Sequence, residues 1–328
     1  MNHLGVGLIG LGRHGIRYAR HLLDGVPEMS LVAVCRGDRA AGESFAREHG
    51  VRFHADWREL VADAAVDAVA VVTPHDVHAE PSIAAISAGK ALLIEKPLAA
   101  NAREGDSIAR AAAACAGRGA CVAVAQTLRY ELGVAAFRDA LAADGGPRAI
   151  HILLRGEDRN LGPDGRWRQK DNDGGALLDA GVHFFDLAAF LGLGRVRRVF
   201  ARVAHALGYP VEDSFTAILE TDACPVTIDV SRIGGARYEL IEALTPAGVL
   251  QLDRFGAGLT RIRGRDREPV AYARDVATLP IFLTAFRDAA LGRAPAPVSL
   301  DDGLRALRIA DTCRESARSG AWIDFESH

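Results

Sequence analysis

A chain of 328 residues is longer than one ordinary hydrophobic core and predicts two domains. Its 49% hydrophobic and 25% charged residues are those of a water-borne globular protein, and it holds no run of about 18 apolar residues to span a membrane. A net charge of −3 offers nothing to nucleic acid or to an anionic membrane, which excludes both as expected partners.

The first element predicted is a short apolar strand, Leu4–Ile9. It runs into Gly10-Leu11-Gly12-Arg13-His14-Gly15, after which Ile16, Ala19, Leu22 and Leu23 fall at helical spacing over His14–Leu23. A structural glycine turn is one reading. The other is a dinucleotide clamp, which needs its glycines between a strand and a helix. There Gly10 permits the tight turn, Gly12 lets the backbone approach a pyrophosphate, and Gly15 lets helix and strand pack closely. The helix amino terminus then supplies free N–H groups for phosphate.

Strands at Leu31–Cys35, Val66–Val72, Ala91–Ile94 and Cys121–Ala125 follow. They alternate with helices at Ala40–His49, Asp56–Ala62, Val77–Ala88 and Ala102–Ala114. Apolar strands separated by helices predict a doubly wound parallel sheet, an α/β Rossmann domain over 1–127. Ligands of such a sheet lie beyond the carboxyl ends of its strands. Two stretches stand there. In Thr73-Pro74-His75-Asp76-Val77-His78-Ala79-Glu80 the histidines and Glu80 lack further ligands at metal spacing, so no metal is expected. In Glu95-Lys96-Pro97 a charged pair ends a buried strand, and Pro97 holds Lys96 extended. Alone, that pair also reads as a surface ion pair.

Gln126-Thr127-Leu128-Arg129-Tyr130 marks the junction, where Arg129 and Tyr130 either touch substrate or hold the domain interface. After Pro147 strands follow one another: Arg148–Leu154, Val196–Ala204, Ser214–Glu220, Val226–Ser231, Tyr238–Ala243, Gly248–Asp253 and Leu259–Ile262. Helical spacing returns at Pro280–Leu291 and Asp302–Ser316. This predicts an α+β domain over 128–328 with an open-faced, mostly antiparallel sheet. Within Asp173–Leu193, Asp179 and His183 are four apart and share a face if helical. Histidine titrates near neutrality, as a base taking a hydroxyl proton must, and a carboxylate beside it would orient the ring. A satisfied core histidine beside a capping aspartate is the alternative.

The glycine fingerprint, the TPHDVHAEPSIAAISAGKALLIEKPLA stretch, QTLRY and GGALLDAGVHFFDL occur here in one order over essentially the whole chain. In this the sequence resembles the glucose-fructose oxidoreductase / inositol dehydrogenase / MocA family. The resemblance implies a Rossmann domain plus an open-faced sheet domain, with the active site between them. It implies hydride transfer between NAD or NADP and a hydroxyl or keto carbon of a sugar, sugar derivative or cyclitol. Lys96, Asp179 and His183 become the catalytic group by motif. His183 would exchange the hydroxyl proton, Lys96 would hydrogen-bond the same oxygen, and Asp179 would orient His183 or bind a neighbouring hydroxyl. The cofactor site would take in Gly10, Gly12, Arg13, His14, Gly15, Arg36, Asp38, Thr73, Pro74, His78, Glu95 and Lys96. Homodimers or homotetramers through the open sheet face are implied as well.

Arg36, 21 residues beyond Gly15, stands where an NAD enzyme of this fold carries an acidic side chain for the ribose 2′-hydroxyl. An arginine there pairs with a 2′-phosphate, so NADP is favoured over NAD; Asp38 would take the ribose role if NAD were preferred. Substrate contacts are expected from Lys96, Arg129, Tyr130, Asp179 and His183. Trp167, in the charge-balanced segment Arg155–Asp173, either stacks on a sugar face or anchors its loop. A glycosidase using transient oxidation by tightly held NAD, and a non-catalytic nucleotide-binding regulator, are the rival functions. Five cysteines with no CxxC pair, and no secretory leader pattern, give an expectation of reduced thiols in the cytoplasm.

Overall fold

Leu4–Ile9 (β1) is buried at all six positions, as a strand covered on both faces must be. The computed structural model describes residues 3–115, 121–157 and 174–325. In it Met29–Cys35 (β2), Arg52–His54 (β3), Ala68–Val71 (β4), Ala91–Ile94 (β5) and Val122–Val124 (β6) join β1 in one sheet of order β3-β2-β1-β4-β5-β6. Every pairing in it is parallel. The helices are Arg13–Asp24 (α1), Arg39–His49 (α2), Trp57–Ala62 (α3), Ala79–Ser87 (α4) and Ala102–Ala114 (α5). The strand order reverses between β1 and β4, the switch point at which doubly wound sheets bind ligands.

Two local details depart from the sequence reading. Strand β3 is a three-residue edge, too short to show a period. The helix expected over Val77–Ala88 is instead a 3-10 turn, His75–Val77, followed by α4. Pro81 lacks the N–H that would bond to the Val77 carbonyl, so the α-helical ladder cannot reach further back.

The chain forms two compact units. One is built from the chain up to Thr127 together with Leu279–Leu304; the other from Leu128–Thr278 and from Arg305 onward. Leu279–Leu304, assigned to the second domain by sequence order, belongs with the first unit for specific reasons. The Val298 carbonyl accepts from the Val124 N–H of β6 at 3.1 Å. Arg293 grips the Glu28 carboxylate at 2.7 and 2.8 Å. A Cβ on Gly303 would lie 2.7 Å from the Val124 side chain. This stretch holds all but the first residue of helix Thr278–Ala290, and the start of helix Leu300–Ser319.

Among the described residues the second unit holds a nine-stranded sheet of Ala149–Glu157 (β7), Val196–Ala204 (β8), Ser214–Thr221 (β9), Pro225–Ser231 (β10), Ile233–Thr245 (β11), Gly248–Asp253 (β12), Gly258–Arg263 (β13), Asp266–Pro269 (β14) and Ile323–Asp324 (β15). Its order is β14-β13-β12-β11-β7-β10-β9-β8-β15, antiparallel except where β7 meets β10. Helix Leu132–Ala143 (α6) also lies here. Its buried Val134, Phe137 and Leu141 have helical spacing. β14 is exposed at all four positions, so no apolar pattern announces it.

Candidate active site

The nucleotide end of the first unit is set by glycine sterics. Gly10 ends β1 at φ +102°, and a Cβ there would lie 2.3 Å from the Val72 carbonyl oxygen. A Cβ on Gly15 would lie 1.9 Å from the Gly10 carbonyl oxygen, so α1 crosses β1 at a distance only glycine permits. Gly12 faces open space: nothing lies within 4 Å of a Cβ built there. It is the N-cap of α1 and places no side chain on the first-turn N–H groups. Gly12 and Arg13 are exposed and His14 is half-buried. At the β4 end, the Thr73 hydroxyl oxygen is buried without a hydrogen-bond partner among the described residues, and Pro74 is exposed. Open amides at a helix amino terminus, a bare glycine and an unsatisfied hydroxyl fit a dinucleotide pyrophosphate.

Past β2, Arg36 is half-buried and its guanidinium lies 4.0 Å from the Asp38 carboxylate. Asp38 is the N-cap of α2, accepting from the Ala41 N–H at 3.1 Å. One oxygen of that carboxylate accepts the cap bond, and the arginine beside it keeps donor capacity.

The ends of β4 and β5 are tied together by His78. Its ring is fully buried, with Nδ1 3.0 Å from the Pro97 carbonyl oxygen and Nε2 2.9 Å from that of Thr73. Burial pushes the ring down to about 4, against the pull of the carbonyl contacts, so it is neutral and donates to one of the two oxygens. His78, expected among the cofactor-binding residues, therefore presents no surface to a ligand and acts by bracing two loops. Lys96 is half-buried, precedes a cis peptide to Pro97, and follows Glu95. Glu95 accepts from the Tyr18 hydroxyl at 2.9 Å and from the Lys96 N–H at 2.8 Å.

In the second unit the glycine-rich block opens against Glu212. The Ala176 N–H donates to the Glu212 carbonyl and the Leu177 N–H to its carboxylate, and a Cβ on Gly175 would lie 2.5 Å from that side chain. Leu177–Gly181 then forms a π-helical turn, with the Val182 N–H reaching back to the Leu177 carbonyl, and Val182–Phe190 (α7) continues as α-helix. From Gly174 to Ala188 every residue is buried except Asp179 and His183. The two polar residues therefore share the one stripe of this helical segment that reaches a surface. Behind them Arg232, buried at the turn between β10 and β11, places its guanidinium 3.5 Å from the Asp179 carboxylate.

Arg129 has a definite partner. Its guanidinium donates to both oxygens of Asp186 on α7, at 2.7 and 2.5 Å, and it stacks near Phe190. This ion pair joins two stretches of the second unit and braces α7, a role that neither sequence reading of Arg129 named. Tyr130 beside it is half-buried, and burial raises its phenol. Trp167 lies outside the described residues. Sequence reasoning missed Glu212 and Arg232, which carry no motif of their own. It also passed over Tyr18, although its place on the apolar face of α1 was visible in the helical spacing.

Residues 4–126 match the oxidoreductase family with an NAD-binding Rossmann fold, GFO_IDH_MocA, and residues 143–248 match the GFO/IDH/MocA C-terminal domain. The chain is 31% identical over 337 residues to inositol 2-dehydrogenase 1 of Saccharopolyspora erythraea, covering 98% of this chain and 96% of that one. It belongs to the GFO/IDH/MocA oxidoreductases. A second relative of this GFO/IDH/MocA protein is the scyllo-inositol 2-dehydrogenase (NADP(+)) IolW of Bacillus subtilis, 26% identical over 359 residues and covered to 96% by 98% of this chain. Among solved structures, levoglucosan dehydrogenase in complex with NADH and levoglucosan has the same fold, with a TM-score of 0.87 at 22% identity over 99% of this chain and 100% of that one. The chain is accordingly an NAD(P)-dependent oxidoreductase of the family that contains the inositol dehydrogenases. No described helix is long and apolar enough to cross a membrane.

Proposed function

We propose that this protein moves a hydride between NAD(P) and a hydroxyl-bearing or keto carbon of a cyclitol, sugar or sugar derivative. The observation that carries the reading is the pair Asp179 and His183. They alone break the buried surface of Gly174–Ala188, in a chain whose half-buried Lys96 stands two residues beyond the end of β5. When bound, the nicotinamide supplies the hydride acceptor or donor.

Gly10, Gly12, Arg13, His14, Gly15, Thr73 and Pro74 hold the dinucleotide at the switch point, with the phosphates on the open amides of α1. Glu95 supports this end through Tyr18 and the Lys96 N–H. Arg36 takes a 2′-phosphate, which favours NADP over NAD; the relatives include an NADP(+) and an NAD(+) enzyme, so the reading rests on the half-buried guanidinium just past β2.

His183 takes the proton of the substrate hydroxyl in oxidation and returns it in reduction. Lys96, as ammonium, donates a hydrogen bond to the same oxygen and so stabilises the charge that grows there. Asp179, itself faced by Arg232, stays an acceptor that orients His183 or a neighbouring hydroxyl. Tyr130 borders the substrate. Pairing of the open sheet face into a homodimer or homotetramer, and a cytoplasmic location in keeping with five free cysteines, complete the proposal.

The test is absorbance at 340 nm with inositols, aldoses, anhydrosugars and sugar nucleotides, each offered with NAD and with NADP. Reduction of cofactor by at least one polyol is expected. No turnover with any of them, despite measurable cofactor binding, would defeat the proposal.

A further inference from the structure

Tyr18 is among the largest side chains of the molecule that are fully enclosed, with 1% of its surface exposed. It lies on the face of α1 that also buries Gly15, Ala19 and Leu22. A phenol so placed needs a partner for its hydroxyl, and the partner is the Glu95 Oε1 at 2.9 Å. The other oxygen of the same carboxylate, Oε2, accepts the backbone N–H of Lys96 at 2.8 Å. One carboxylate therefore joins α1, the helix that follows the glycine turn, to the peptide that carries the lysine.

We propose that Tyr18 is a positioning residue for Lys96: its hydroxyl holds the Glu95 carboxylate against the Lys96 peptide, which ties the lysine to the nucleotide-binding helix. The inference rests on the reading of Lys96 given above and names the side chain that aims it.

The chemistry of the three groups is consistent with that role. Burial raises the Glu95 carboxyl, while the Lys96 charge and the Tyr18 hydroxyl pull it back toward the ionised form. Burial raises the Tyr18 phenol well above its ordinary value, and the Glu95 charge raises it further, so the proton stays on Tyr18 and the phenol is the donor. Removing that donor leaves a buried carboxylate oxygen unsatisfied, and the Lys96 N–H is the group that feels it first.

The chain has three lysines, Lys90, Lys96 and Lys170, so the full-length protein labelled with 15N-lysine yields three backbone amide signals. Lys96→Met assigns the one of interest. In Tyr18→Phe, which keeps the ring and removes the hydroxyl, the Lys96 amide should move and its exchange protection fall by about tenfold. The Lys90 and Lys170 amides should stay in place. In the Tyr18→Phe/Glu95→Gln double variant the loss should match that of Glu95→Gln alone, because both changes break one link. Saturating NADP should move the Lys96 amide in the unaltered protein, and by less in Tyr18→Phe.

An unmoved Lys96 amide in Tyr18→Phe, additive losses in the double variant, or equal movement of all three signals would overturn the proposal. If Tyr18→Phe does not fold, Glu95→Gln reads the same link from its other end, and an unmoved Lys96 amide there is equally decisive. Full turnover in Lys96→Met would instead end the catalytic reading of Lys96 while leaving the amide result as it stands.

Discussion

Arg129 grips both carboxylate oxygens of Asp186, at 2.7 and 2.5 Å, with the Asp186 side chain 1% exposed. Asp186 sits one helical turn past His183, so the pair locks the helix that presents the histidine. Arg129→Ala would strand a buried carboxylate. We expect a loss of about 3–5 kcal/mol in the unfolding of the second unit, measured by urea denaturation. Arg129→Lys should recover only part of it, since an ammonium cannot match the two-pronged geometry. Equal stability of all three proteins would show that the pair does not hold α7.

Lys96→Met should leave the dissociation constant for the cofactor unchanged within about twofold and lower turnover by about a hundredfold or more. His183→Asn should behave alike, because it removes the proton acceptor and keeps the shape. Single-turnover rates, with cofactor binding followed by nicotinamide fluorescence, separate the two quantities. Turnover near that of the unaltered enzyme in either variant would remove that side chain from the chemistry.

Arg36→Ala tests the cofactor preference. The Michaelis constant for NADP should rise by about tenfold or more while that for NAD changes little, since a charge-assisted pair to a 2′-phosphate is lost. A preference for NAD in the unaltered protein would assign the ribose to Asp38 instead.

His78 makes a prediction about acid stability. Its folded value, about 4, lies below the ordinary value of 6.5. The unfolded chain therefore binds the extra proton first as pH falls. The contribution of His78 is complete above pH 6.5 and is lost between pH 6.5 and 4, amounting to about 3 kcal/mol. The difference in unfolding free energy between the unaltered protein and His78→Gln should shrink steadily across that interval. A difference independent of pH would mean that the buried ring carries its charge in the folded state.

The sulfur chemistry has a simple expectation. Burial raises the thiols of Cys35 and Cys121 to about 11 and that of Cys313 further still. At pH 8 these should react slowly with a disulfide reagent in the folded protein, and rapid modification of all five cysteines would contradict the burial described here.

What the sequence alone determined about this protein is what a few neighbouring residues encode. The apolar runs at Leu4–Ile9 and Ala91–Ile94 became strands at those bounds, and Ala102–Ala114 became a helix at its bounds. The glycines at 10 and 15 were legible for the same reason, since the steric need for a missing Cβ is a local property. The period of Val134, Phe137 and Leu141 was equally local and went unread. Only the tertiary structure decided the rest. It buried His78 between two carbonyls, set Arg232 behind Asp179, gave Arg129 to Asp186 and drew Leu279–Leu304 to the first unit. It also wound Leu177–Gly181 as a π turn against Glu212. In each case a buried polar group or backbone amide had to find its partner, and at least one such partner lies outside the local stretch of chain, where no period or spacing points to it.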